Sequence, residues 1–209
     1  WTGAPRHSPI TANGGAKNTR VSNHSASPQG NTHLIGPKIT GHTSVLAYDG
    51  NGDYLRTPSS SDFNLGSGNW TVECWFNGSA WPASIKGLIS LDYDGPGATH
   101  NAMNFGVDNS KLAWLVSDSN LNWAIVNTTA GTVSTAGWHH AAGVFDGSTY
   151  KAYLDGIEVI SVTSSTAVAS QDSSQMIIGS TADGNAGQCL FGYQDEIRVS
   201  DSARYTSNF

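Results

Sequence analysis

Apolar and polar positions along this chain alternate with a period of two, and no window holds the three-and-four spacing of a helix for more than a turn. In Trp70–Asn77, for example, Val72, Cys74 and Phe76 fall on one face while Glu73 and Trp75 fall on the other. Similar short β-rich runs predict strands at Ser44–Tyr48, Tyr54–Thr57, Trp70–Asn77, Gly87–Tyr93, Ala102–Val107, Lys111–Ser117, Trp123–Val126, His139–Phe145, Thr149–Leu154, Ile157–Val162, Ser174–Ile178 and Leu190–Ser200. Along the last of these, Tyr193, Asp195 and Ile197 alternate with Gln194, Glu196 and Arg198. Asp-Gly and Asn-Gly pairs stand between the runs at Asp49-Gly50, Asn51-Gly52, Asp94-Gly95, Asp146-Gly147, Asp155-Gly156 and Asp183-Gly184. Such pairs accept positive φ and close tight hairpins, so Lys151–Val159 reads as one hairpin around Asp155-Gly156. Many evenly spaced strands with no helices between them predict an all-β fold, an antiparallel sandwich or barrel.

Residues 1–41 differ from the rest, being rich in Asn, Ser, Gly, His and Pro with weak periodicity. They read either as a linker or as an N-terminal arm that contributes a strand, near Ile10–Ala12 or Lys17–Val21, to a sandwich over residues 42–209. The whole chain has 209 residues, enough for one large core. Only 12% of them are charged, against roughly 25% in an average globular protein. The net charge of −6 and the lack of any Lys/Arg cluster argue against nucleic acid and against anionic membrane surfaces as partners. No apolar run approaches the ~20 residues of a bilayer span. Trp1-Thr2-Gly3 carries no signal-peptide pattern, as expected of a processed chain or of a segment of something longer. Cys74 and Cys189 show no zinc spacing; each reads as a buried small hydrophobe, with a disulfide between them left open.

Four segments, in order, carry a family resemblance. They are Leu46–Leu55, Phe63–Phe76, Gly137–Ala142 with Tyr153–Gly156, and Ile178-Gly179 with Phe191–Ser200 and Ala203-Arg204-Tyr205-Thr206. Together they resemble the laminin-G-like domains of the concanavalin A-like lectin/glucanase superfamily, in the variant seen in phage and microbial surface proteins. The resemblance covers most of Leu46–Phe209 and implies a two-sheet antiparallel jelly-roll sandwich.

Some relatives in that superfamily are glycosidases, which need two carboxylates flanking the scissile bond. Here Glu73 stands alone, and Asp195 and Glu196 are strand neighbours that point to opposite faces, so no catalytic residue is assigned and no enzyme activity is expected. His139 and His140 diverge for the same reason and read as structural, and Trp138 beside them reads as a core or sheet-edge aromatic. Relatives of the laminin-G type hold Ca²⁺ in loops at one rim, so the resemblance implies a calcium site; no motif carries its ligands across, and Asp92, Asp94, Asn101 and Asp108, clustered around one long loop, are the candidate metal residues on their oxygen chemistry alone. Asp49, Asn51 and Asp53 form a second acid-amide cluster, and turn chemistry accounts for both sets equally well. For glycans, Trp114 and Trp123 on neighbouring strands, with Tyr93, are the expected stacking platform; the alternative is that both Trp residues are core. Asn23, Asn69, Asn77 and Asn127 begin acceptor patterns for N-glycosylation, which matter only in a eukaryotic source.

The first expectation for function is a non-catalytic structural module of a surface or virion, such as a capsid decoration, tail or fibre component, with a glycan-binding or adhesion role. The alternative is a carbohydrate-binding module of a bacterial adhesin or polysaccharide-degrading enzyme. Either implies an extracellular or virion-surface location. The partners would be other virion or surface proteins, copies of the chain in a homo-oligomer, and glycans; nucleic acid and membrane insertion are not expected.

Overall fold

β-branched and aromatic residues at every second position favour extended backbone with one face buried, and this is how the chain folds. The structure is a computed structural model, and it describes residues 10–13, 21–24, 26–35, 44–92, 101–169, 174–181 and 186–209. Among these, sixteen strands form two sheets of nine and seven strands.

The first sheet runs β14 (Ile157–Thr163), β13 (Thr149–Leu154), β12 (His139–Phe145), β7 (Trp70–Gly78), β16 (Phe191–Ser200), β1 (Ile10–Asn13) and β2 (Val21–His24). β5 (Val45–Asp49) pairs with the opening residues of β16, and β4 (His33–Ile35) pairs with β5. The second sheet runs β11 (Val126–Ala130), β10 (Lys111–Val116), β9 (Asn101–Asp108), β8 (Lys86–Asp92), β15 (Gln175–Ile178), β6 (Tyr54–Arg56) and β3 (Ser27–Gln29). The predicted all-β two-sheet sandwich is what forms. Pairing is antiparallel apart from β1, which lies parallel to β16 with Thr11 opposite Arg198. The 1–41 segment supplies β1 to β4, so it reaches the edges of both sheets. Of the two places expected for an arm strand, Ile10–Asn13 is extended; most of Lys17–Val21 lies outside the described residues.

Between the sheets lies an aromatic core. Trp114 of β10 sits edge-on to Trp70 of β7 at 6.2 Å, to Tyr150 of β13 at 5.8 Å and to Phe105 of β9 at 5.7 Å. All four are fully buried, and each such side chain contributes about 1.5–3 kcal/mol by leaving water. Two tight hairpins fix register around this core. Asn109 and Ser110 join β9 to β10, and Asp155 and Gly156 join β13 to β14; all four residues have positive φ, as a two-residue mirror-image turn requires.

Two expectations change. The strand expected at Trp123–Val126 begins at Val126 and runs to Ala130, because Val126 takes the register opposite Val116 and Trp123 is left in the preceding loop. Strict alternation in β16 also fails. The register shifts between Asp195 and Arg198, and Glu196 takes a positive φ of 49°, which marks a β-bulge. The bulge puts Asp195 and Arg198 on one face, whereas simple alternation would have opposed them. Cys74 and Cys189 are buried, as their reading as small hydrophobes expected, and no disulfide joins them. Burial pushes the Cys74 thiol up to about 12.

Candidate functional site

Outward-facing residues of the first sheet form rows across the strands. Opposite Glu73 of β7 stand Arg198 of β16 and Ala142 of β12, and Ala142 faces Tyr153 of β13. In the next row Trp75 of β7 is flanked by Asp195 and His140. Beyond it, Tyr193 of β16 lies beside Asn77, and the ring of Trp138, the residue before β12, comes within 6.4 Å of Tyr193.

The Glu73 row is closed over by the end of the chain. After β16, residues 201–209 cross β7, β12 and β13 as a strap. Thr71 Oγ1 donates to the Ser202 carbonyl at 2.7 Å and accepts from the Arg204 N–H at 3.0 Å. Tyr205 packs on Ala142, Val144 and Tyr153, and stacks on Phe209 at 3.7 Å. Further on, Lys151 Nζ donates to the Thr206 carbonyl, Asn208 accepts the Glu158 N–H, and the Phe209 N–H donates to the Gly156 carbonyl.

Glu73 is the anchor of this strap. Its carboxylate lies 2.7 Å from Arg204 Nε and 3.3 Å from His140 Nε2, and it accepts from the Tyr205 hydroxyl at 2.6 Å. Burial alone would push the Glu73 carboxyl up. The hydrogen bonds from His140 and Tyr205, with the Arg204 charge, outweigh that and hold it below the ordinary carboxylate range. His139 points the other way, toward Phe76, and its Nδ1 lies 2.7 Å from Asp155 Oδ2. Asp155 Oδ1 in turn accepts the His140 N–H, so the His-His pair and the Asp-Gly turn form one structural unit.

The remaining part of this face is aromatic and partly exposed. Trp75 is 38% exposed and Phe209 55%, while Trp138 and Tyr193 are half-exposed. Phe191, on the same side of β16 as Tyr193, is 50% exposed. Flat apolar rings beside the half-buried Asn77 suit a ligand that has both C–H faces and hydroxyls.

The residues expected to bind glycan do not gather. Trp114 is wholly buried between the sheets, because its position in β10 shares the inward face with Leu112 and Val116; its ring faces are covered by Trp70, Tyr150 and Phe105. Trp123 is half-buried in the loop before β11, and Tyr93 lies outside the described residues. The sequence did place Trp75 and Glu73 on the polar face of β7. Of the two readings of Trp138, core or sheet-edge aromatic, the structure excludes the core, since the ring is half-exposed beside Tyr193.

Nor do the expected calcium ligands form one site. Asp92 and Asn101 pair across β8 and β9, but Asp108 ends β9 at its far end. At about 3.3 Å per residue, Asn101 and Asp108 are about 23 Å apart, so one ion cannot take both. Asp94 lies outside the described residues. In the second cluster, Asp53 accepts the N–H groups of Asn31 and Asp49, and Asp49 accepts the Asn51 N–H and the Asn31 amide. The Asn51 N–H, with the Asn31 amide, holds the Asp49 carboxyl below its usual range. These carboxylates close a turn. Among the described residues, no three His, Cys, Asp or Glu side chains are grouped to hold a metal.

A family model described as the concanavalin A-like lectin/glucanases superfamily, laminin-G type, matches residues 49–207. The chain belongs to this superfamily. Solved structures with a similar fold share very low sequence identity with this chain. The binding domain of Paraclostridial Mosquitocidal Protein 1 superposes with a TM-score of 0.67 at 10% identity, over 91% of this chain and 48% of that one. Trypanosoma rangeli sialidase in complex with the inhibitor DANA gives 0.63 at 14% identity, over 87% of this chain and 28% of the sialidase. Domain 4 of the Geobacillus stearothermophilus arabinanase AbnA, solved with arabinotriose, gives 0.53 at 16% identity, over 87% of this chain and 83% of that domain. This laminin-G-type chain thus spans about half or less of the first two proteins. Comparison with characterised protein sequences returned no match. Among the described residues, no helix is long and apolar enough to cross a membrane.

Proposed function

We propose that this laminin-G-type domain is a non-catalytic glycan-binding module of a secreted or surface protein, and that it binds sugar on the partly exposed aromatic part of the first sheet. The observation that carries the reading is the row formed by the exposed Trp75 and the half-exposed Trp138 and Tyr193, beside the half-buried Asn77. Sugar rings stack on aromatic faces, and an amide at their edge hydrogen-bonds hydroxyls as donor and acceptor. The arabinotriose complex of an arabinanase domain with the same fold supports the ligand class. The acids on this face support a binding role over hydrolysis. Glu73 is held by Arg204, His140 and Tyr205, and Asp195 Oδ1 accepts the N–H of Glu196.

A virion or fibre role draws no comparable support, since β1 to β4 of the 1–41 segment pair within the chain. A glycan array probed with the wild-type domain and with Trp75→Ala tests the proposal. Binding that is lost in the variant, with the circular dichroism spectrum unchanged, is the expected result. Glycan binding undiminished in Trp75→Ala would remove this face from consideration.

A further inference from the structure

The charge on the same face narrows the ligand, and this step rests on the glycan-binding reading above. Two of the chain's ten Lys and Arg residues, Arg198 and Arg204, share the single carboxylate of Glu73. They share it unequally. Arg204 Nε is 2.7 Å from Oε1, whereas the nearest Arg198 nitrogen stands 3.7 Å from the same oxygen, outside hydrogen-bond reach. Among the described residues the Arg198 guanidinium makes no hydrogen bond.

Exposure separates the two signs of charge. The Glu73 side chain is 5% exposed and Asp195 is 5% exposed, while the Arg198 and Arg204 side chains are 34% and 33% exposed. A ligand lying on Trp75 therefore meets guanidinium groups, and the carboxylates lie beneath them. The β-bulge at Glu196 produces this arrangement, because it turns Arg198 onto the face of Trp75 and Tyr193. After Thr71 the strap runs toward β12 and β13, away from β16 and Arg198.

We infer that the site selects acidic glycans, with Arg198 receiving a sugar carboxylate while a neighbouring ring stacks on Trp75. A guanidinium presents its N–H donors as a planar fork that matches both oxygens of a carboxylate, and its charge strengthens each bond. Arg198 is suited to the role because its donors are not committed to Glu73. In this assignment Arg204 is a positioning residue: it fixes Glu73 and the strap.

The test compares matched probes by isothermal titration calorimetry: tetragalacturonic acid against galactotetraose, and 3′-sialyllactose against lactose. At least one acidic probe should bind about tenfold tighter than its neutral partner, the scale of one hydrogen bond to a charged group. Arg198→Gln should erase that preference, so that each acidic probe binds no tighter than its neutral partner. Arg198→Lys, which keeps the charge and loses the fork, should retain part of the preference and controls for any loss of fold. Trp75→Ala should weaken acidic and neutral probes alike. Equal binding of each pair, unaffected by Arg198→Gln, would overturn the acidic-glycan assignment and leave the glycan-binding reading intact. If no sugar binds in any form, the glycan-binding reading itself fails.

Discussion

Replacing Glu73 by glutamine removes one charge from a nearly isosteric side chain and isolates what anchors the strap. The amide oxygen of Gln can still accept from the Tyr205 hydroxyl, so that contact survives. The ion pair to Arg204 and the hydrogen bond from His140 to a charged acceptor do not. Breaking a fully buried pair from one side costs about 3–5 kcal/mol. Here Arg204 and Arg198 are about a third exposed and can recover water, which lowers the cost to about 2 kcal/mol. For a domain of this size that corresponds to a fall of about 4–8 °C in Tm. The loss has a pH signature. Glu73 is held below its usual range, so its contribution is fully present above the unfolded carboxyl value of about 4.3 and disappears as pH falls through the lower folded value. The Tm gap between wild type and Glu73→Gln should be flat from about pH 5 to 8 and should close at lower pH. Hydrogen exchange should show residues 201–209 opening faster in the variant at neutral pH. A gap that persists unchanged to pH 3, or strap amides that exchange at the wild-type rate, would refute the anchoring role.

Two further predictions follow from the packing. Trp114→Ala should cost about 3–5 kcal/mol in urea unfolding, as removal of a large core aromatic does, while glycan affinity of the folded fraction stays at the wild-type level. A change in sugar affinity with little change in stability would mean that Trp114 is reached by ligand after all. Gly156→Ala should destabilise by more than about 1 kcal/mol, because φ is +80° there and a Cβ would stand 2.1 Å from the Phe209 carbonyl oxygen; thermal unfolding measures it, and faster exchange at the Phe209 amide should accompany it.

The alternation of Val72, Cys74 and Phe76 against Glu73 and Trp75 determined by itself that β7 would bury one face and present the other, and the Asp155-Gly156 pair determined its hairpin. Period-two patterning is a local property, so the all-β sandwich and most strands could be read from the chain. Burial of a given aromatic is not local. Trp114 and Trp75 both alternate on a strand, and only the first sheet, packed over one face of β10, made Trp114 core. Sequence alternation also set Arg198 opposite Asp195. The bulge at Glu196, which depends on pairing with β7, reversed that and placed a guanidinium beside Trp75. The strap is the other tertiary decision. Arg204 and Tyr205 lie more than 130 positions from Glu73 along the chain, and only folding brings those charges together; no spacing in the sequence records that distance in space.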